Sequence, residues 1–125
     1  MLNIHESSED YLETILMLHE KKGAVRSIDI ASELNFSKPS VSIAMKKLRE
    51  NGYIEMDANN YITLTEAGTA IAQRIYERHR VLTQIFVKLG VSKEVAEHDA
   101  CEIEHHISDE TWEKLKEHTL SHGDL

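Results

Sequence analysis

The chain has 125 residues, 14 Lys and Arg against 22 Asp and Glu, a net charge of −8 and a pI near 5.4. With 41% apolar and 29% charged residues it suits a soluble, compact protein of one domain or two small lobes sharing a core. A single cysteine excludes a disulfide framework, and no apolar run approaches the roughly 18 residues that span a bilayer. The start, from Met1 to Asp10, lacks the basic and apolar blocks of a signal peptide, so a cytoplasmic protein is expected.

One proline and five glycines leave little room for long loops, and helix is expected to dominate. Tyr11, Leu12, Ile15, Leu16 and Leu18, with Ile4 one turn earlier, recur at helical spacing and predict a helix over 7–22, capped by Ser7 or Ser8 and stopped by Gly23. A short helix follows over 27–34, with Ile28, Ile30, Ala31 and Leu34 facing inward. After the turn Asn35-Phe-Ser, Ser37 caps a third helix whose first turn accommodates Pro39, because no intrahelical donor is lost there. Its core face is Val41, Ile43, Ala44, Met45 and Leu48, and Asn51-Gly52 ends it.

Two short helices joined by a tight turn form the helix-turn-helix pattern. Tyr53-Ile-Glu-Met-Asp57 and Tyr61-Ile-Thr-Leu-Thr65 then read as a β-hairpin, which completes a winged helix. Thr65 caps a long helix to about Leu89, stopped by Gly90; Ser92 caps a fifth to about Ile107 and Ser108 a sixth through about His118. The expected fold is mostly α, an N-terminal winged helix-turn-helix with a small hairpin wing followed by a helical lobe.

Net acidity argues against a nucleic-acid partner only on average. Residues 76–125 carry a balance of −5 and residues 1–75 one of −3, yet 37–51 holds Lys38, Lys46, Lys47 and Arg49 against Glu50 alone. A basic stripe on the second helix of a helix-turn-helix is the electrostatic footprint of phosphate contact, although short runs of this kind are often only solvated faces.

The second half concentrates histidine: five of eight (His98, His105, His106, His118, His122) lie in the last 28 positions. On one helix, Cys101, Glu104 and His105 stand at i, i+3 and i+4 and converge on one face. Thiolate, carboxylate and imidazole together make a partial coordination sphere for a divalent transition metal. The first helix offers Asp10 and Glu13, again at i and i+3, and the long helix offers His79 between Arg78 and Arg80. Singly, each has a plain explanation: a buried cysteine is a small hydrophobe, and acids near a helix N-terminus favour its dipole. Donors on three separate helices favour the metal.

Ser8-Glu-Asp-Tyr-Leu-Glu13, Ser37-Lys-Pro-Ser-Val-Ser42, the His79 helix and Asp99-Ala-Cys-Glu-Ile-Glu-His-His-Ile-Ser108 resemble, in order and spacing, the diphtheria toxin repressor family of metal-dependent transcriptional repressors. The resemblance covers nearly the whole chain, which ends at Leu125 much as short manganese-type members do, without the SH3-like domain of larger ones. It implies a DNA-binding domain over 1–70 and a helical metal-binding and dimerisation domain over 71–125. It also implies a main metal site of Asp10, His79, Cys101, Glu104 and His105, with Glu13 as the second acidic ligand of manganese-type members and His98 as an ancillary ligand of iron-type ones. The sequence is a hybrid: manganese-type members mostly have Glu where Cys101 stands, iron-type members Met where Asp10 stands, and Thr83 replaces an acid of the iron-type ancillary site. Fe2+ or Mn2+ is the implied ion, with Zn2+, Co2+ or Ni2+ able to bind in vitro.

From the same resemblance, Ser37, Lys38, Pro39, Ser40 and Ser42 are expected at base edges, while Lys46, Lys47 and Arg26 meet phosphates. Ile43 stands where some members have a base-reading amide, which points to thymine methyl contacts and DNA shape. The partners are double-stranded DNA at a palindromic operator and a second copy of the chain, joined through Val81, Leu82, Ile85, Phe86 and Leu89 with Trp112 and Leu115; the alternative is that these residues form only an internal core. No membrane partner is expected. A rival reading keeps the winged helix but senses an organic ligand or oxidation of Cys101. An enzyme is not expected, since Glu104-His105 lacks the His-Glu-x-x-His spacing and neither a Ser/His/Asp set nor a glycine-rich phosphate loop occurs.

Overall fold

The structure, a computed structural model, describes residues 6–121; Ile4 and His122 lie outside the described residues. Two compact units divide after Gln73.

In the first unit, α1 (Glu6–Lys22) buries Tyr11, Leu12, Ile15 and Leu18, while Leu16 is half-buried. It begins at Glu6, so Ser7 and Ser8 lie in its first turn rather than capping it. Gly23 closes it at φ 86°, in the left-handed region that glycine enters without a Cβ clash, and donates to the His19 carbonyl at 3.0 Å. Burial pushes the Tyr11 phenol up, and the Asp10 charge adds to the shift.

Helix α2 (Ser27–Leu34) buries Ile30 and Ala31, and α3 (Lys38–Glu50) buries Val41, Met45 and Leu48. The expectation that Ile28 and Ile43 face inward is wrong: they are 53% and 59% exposed. Each is two residues from a buried position, about 200° around a helix of 3.6 residues per turn, so it points away from the core. Ser37 caps α3, its Oγ accepting the Ser40 N–H at 3.3 Å. Asp29 accepts from the Lys22 ammonium at 2.6 Å and the Arg26 main-chain N–H at 2.8 Å. These bonds hold its carboxyl below the usual carboxylate range.

Strands β1 (Ile54–Met56) and β2 (Ile62–Leu64) pair antiparallel with Ile54 opposite Leu64 and Met56 opposite Ile62. Ile54 and Ile62 carry the hairpin's inner face into the core. Asp57 Oδ1 gathers the N–H groups of Asn59 and Tyr61, which shapes the wing tip. Thr65 then caps α4 (Glu66–Lys88): its Oγ1 accepts from the Gly68 N–H at 3.2 Å and donates to the Gly52 carbonyl at 2.7 Å. Gly68 lies against the Tyr53 carbonyl so closely that any Cβ would overlap its oxygen.

The second unit holds the rest of α4, α5 (Lys93–Ile103) and α6 (Asp109–Ser121). Val81, Leu82, Ala100 and Trp112 form its core, with Ile85, Phe86, Ile107 and Leu115 packed against it. Of the set expected at a partner surface, Val81, Leu82 and Trp112 are buried in this interior, Ile85, Phe86 and Leu115 are half-buried against it, and Leu89 is 77% exposed. Among the described residues, no helix is long and apolar enough to cross a membrane.

Candidate metal centre and nucleic-acid interface

Helix α5 stops at Ile103, four residues short of the predicted end near Ile107. Glu104 still has helical angles and its N–H reaches the Ala100 carbonyl at 2.9 Å, but His106 N bonds the Ile103 carbonyl instead, tightening the chain into a turn. Ser108 then opens α6, its Oγ accepting the Thr111 N–H at 3.2 Å. Glu104 and His105 thus sit on the turn between α5 and α6, and Cys101 on the last turn of α5.

The turn faces α4. His79 Nδ1 lies 2.9 Å from Glu104 Oε2, and one donor atom each from His79, Cys101 and Glu104 fall within 4.8 Å of one another. His105 Nε2 stands 3.4 Å from the other oxygen, Glu104 Oε1. Glu104 is fully buried, yet Oε1 accepts no hydrogen bond. A buried carboxylate oxygen without a donor is costly in a protein interior unless a cation meets it. With imidazole nitrogens and a thiol around it, this donor set fits a divalent transition metal.

Arg78 is the residue that sequence reasoning passed over. It is 3% exposed; its Nη1 donates to the carbonyls of Glu104 (3.2 Å) and Ile107 (2.8 Å), and its Nη2 to Asp109 Oδ1 (2.7 Å). It therefore supplies donors to two carbonyls of the turn that follows α5 and leads into α6. A signal was present: Ile71, Ile75, Arg78 and Leu82 follow i, i+4, i+7 and i+11, so a cation interrupts the apolar stripe of α4.

Asp10 and Glu13 stand one turn apart on α1 of the first unit, Asp10 half-buried and Glu13 buried. His98 is not drawn into the grouping: its side chain is 73% exposed, with Nδ1 3.5 Å from Asp99 Oδ1. Thr83 carries a buried hydroxyl with no hydrogen-bond partner.

On the first unit, Arg26, Ser37, Lys38, Pro39, Ser40, Ser42, Lys46 and Lys47 are all exposed. The Arg26 guanidinium lies over the Tyr61 ring, 4.3 Å from its centroid, tying the start of α2 to the wing. Ser27, Ser42, Lys46 and Arg49 line an open concavity of about 200 Å³ between α3 and β1, floored by Met45 and Met56. Arg49 belongs to the basic run read from the sequence, whereas Ser27 carries no site signal there, because only the packing of α2 beside α3 brings it to this hollow.

A winged helix-turn-helix with a basic recognition helix, joined to a helical unit that gathers transition-metal donors, is the architecture of a metal-responsive DNA-binding regulator. The chain matches the N-terminal DNA-binding domain of the iron-dependent repressors over residues 3–60, and their metal-binding and dimerisation domain over 65–121. It belongs to that family. It is 38% identical over 118 residues to the transcriptional regulator MntR of Escherichia coli O6:H1, covering 94% of this chain and 76% of that one. Among solved structures it resembles a manganese-dependent transcriptional repressor complexed with manganese (TM-score 0.82, 26% identity, 94% of this chain and 53% of that one). It also resembles IdeR of T. acidophilum (TM-score 0.79, 27% identity, 94% and 55%). The chain thus spans about half the length of these solved relatives.

Proposed function

We propose that the chain is a metal-dependent transcriptional repressor that binds a palindromic operator as a homodimer in the cytoplasm, with Fe2+ or Mn2+ as its ion, and that it is not an enzyme. The observation that carries the reading is the buried Glu104, one oxygen on His79 and the other without a hydrogen-bond donor. His79, Cys101, Glu104 and His105 are the proposed ligands on the helical unit. Asp10 and Glu13 are proposed to complete the set from α1, supported by the family-like stretch Ser8–Glu13 and by their hard oxygen donors.

A bound divalent cation supplies the positive charge that these carboxylates and the thiolate lack. Without it, the carboxylates of Asp10, Glu13 and Glu104, and any thiolate at Cys101, are like charges, which disfavours gathering them at one site. Whatever factor metal gains for DNA binding, DNA gains for metal binding, because the coupling is reciprocal. Ser37, Lys38, Pro39, Ser40 and Ser42 at the start of α3 are proposed to face base edges, with Ile43 exposed beside them for thymine methyl groups. Lys46, Lys47 and Arg26 are proposed to meet phosphates. Two recognition helices one DNA turn apart, about 34–36 Å, then match a two-fold operator.

The test is an anaerobic gel shift on the promoter regions of metal-uptake genes with Fe2+, Mn2+, Zn2+ or no metal. Retardation that requires metal and is reversed by EDTA is expected. Cys101 is exposed, as an oxidation-sensing thiol must be: DNA binding indifferent to EDTA but abolished by alkylating Cys101 would overturn the metal reading.

A further inference from the structure

We infer that Arg78 is a positioning residue for the metal ligands, a buckle that fixes the turn 104–107 so that Glu104 and His105 face His79. The inference rests on the metal reading above, but the geometry is independent of it. Consecutive residues of α4 grip the same residue of the turn twice: Arg78 holds the Glu104 main-chain carbonyl and His79 meets the Glu104 carboxylate. Neighbours on a helix point about 100° apart, so one turn of α4 can address both groups at once. The second Nη1 bond, to Ile107, closes the turn from its far end, and Asp109 at the start of α6 receives Nη2.

Packing alone does not explain the choice of residue. An apolar side chain would fill the same stripe position, whereas the guanidinium is buried with its Nε lacking a hydrogen-bond partner. Its anchor is placed differently: the Asp109 side chain is 82% exposed, and Arg74 Nη1 lies 3.7 Å from the same oxygen. The buckle can therefore be loosened from outside without opening the core. Arg78 also lies over Trp112, 5.7 Å from the ring centroid, and Trp112 is the chain's single tryptophan, so its emission reports the guanidinium's position.

The experiment titrates the full chain anaerobically with Co2+, read by visible absorption, and follows amide hydrogen exchange of residues 105–108 in the metal-free protein. Arg78→Lys keeps the charge and loses the forked donors; Asp109→Asn keeps the core and weakens the anchor; Arg80→Gln removes a cation of α4 placed over Tyr76 instead. Arg78→Lys is expected to weaken Co2+ binding roughly ten- to hundredfold, the range for outer-shell partners of metal ligands. Asp109→Asn acts in the same direction by a smaller factor and lowers the thermal midpoint, because the buried guanidinium loses its carboxylate, while Arg80→Gln keeps wild-type affinity and midpoint. Both Arg78→Lys and Asp109→Asn are expected to speed exchange at 105–108 and shift Trp112 emission. Should Arg78→Lys not fold, Asp109→Asn carries the test alone. Wild-type Co2+ affinity together with unchanged exchange in Asp109→Asn overturns the buckle. Failure of the wild type to bind Co2+ overturns the metal reading instead, and the exchange rates still decide whether Arg78 holds the turn.

Discussion

The two units solve the problem of an interior differently. The first has an extended apolar core, from Leu12 and Ile15 through Ile30, Val41 and Met45 to Ile54 and Ile62, and the carboxylates it buries, Glu9 and Glu13, are confined to α1. The second buries a smaller apolar set, the cluster of Val81, Leu82, Ala100 and Trp112 together with Ile75 and Ala96, with Arg78 and Glu104 buried beside them. Burial of an ionised group costs several kcal/mol unless partners meet it, so a small core that accepts two such groups is shaped by something other than folding stability. In the second unit the buried charge coincides with the proposed metal ligands and the arginine beside them; in the first, apolar burial fixes α3, whose exposed face carries the proposed DNA contacts.

The contrast is broken most severely at Glu104. Glu104→Gln or His105→Ala is expected to lower metal affinity by at least about a hundredfold, beyond the usual cost of an outer-shell partner, with the far-UV spectrum unchanged. Metal titration at two pH values checks the same residues from another side: protons compete for imidazole and thiolate, so affinity falls as pH drops through the histidine range near about 6.5. Wild-type affinity in Glu104→Gln would mean the buried carboxylate serves packing alone, and in His105→Ala that the imidazole is no ligand.

Ile30→Ala probes the opposite unit. Truncating a fully buried aliphatic side chain is expected to cost about 2–5 kcal/mol by denaturant unfolding, while metal affinity of the folded protein stays within a few-fold. A large loss of metal affinity there would erase the distinction between the units.

Lys46→Gln and Lys47→Gln should each reduce the slope of log K against log salt by about one, because one fewer phosphate charge is neutralised, without altering which DNA sequences are preferred. A changed sequence preference would move these lysines from phosphates to bases. Ser37→Ala removes the cap of α3 and is expected to cost about 1 kcal/mol in unfolding experiments.

The smallest effect belongs to Asp29. Its carboxyl is held low in the folded state by Lys22 and the Arg26 N–H, so its contribution is present above the unfolded value of about 4 and is lost as pH falls through the lowered folded value. Asp29→Asn should therefore flatten the stability profile on the acid side and leave the slope between about pH 6 and 8 alone; acid unfolding curves of the two proteins measure it.

Much of the fold was legible because its signals are local. Ser37 before Pro39 announces the start of α3, Gly90 the end of α4, and the alternation of 53–57 and 61–65 the hairpin. Ile28 and Ile43 defy a reading by apolarity alone, which carries no phase: a short helix has one inward stripe, and an isoleucine off that stripe is exposed whatever its hydropathy. The candidate ligands His79, Cys101, Glu104 and His105 were legible by residue type and spacing. That Glu104 and His105 sit on a turn was not, since the carbonyl partner that lets α5 end early comes from another helix.

The sequence by itself determined the helical periods, the caps at Ser37, Thr65 and Ser108 and the donor chemistry, because each depends on residues within about one turn of one another. Tertiary structure alone decided that Arg78 would meet Glu104, Ile107 and Asp109, which lie 26, 29 and 31 positions away. The reason is physical. A buried guanidinium is tolerable only where carbonyls and a carboxylate converge on it, and that convergence exists only once α4, α5 and α6 have packed.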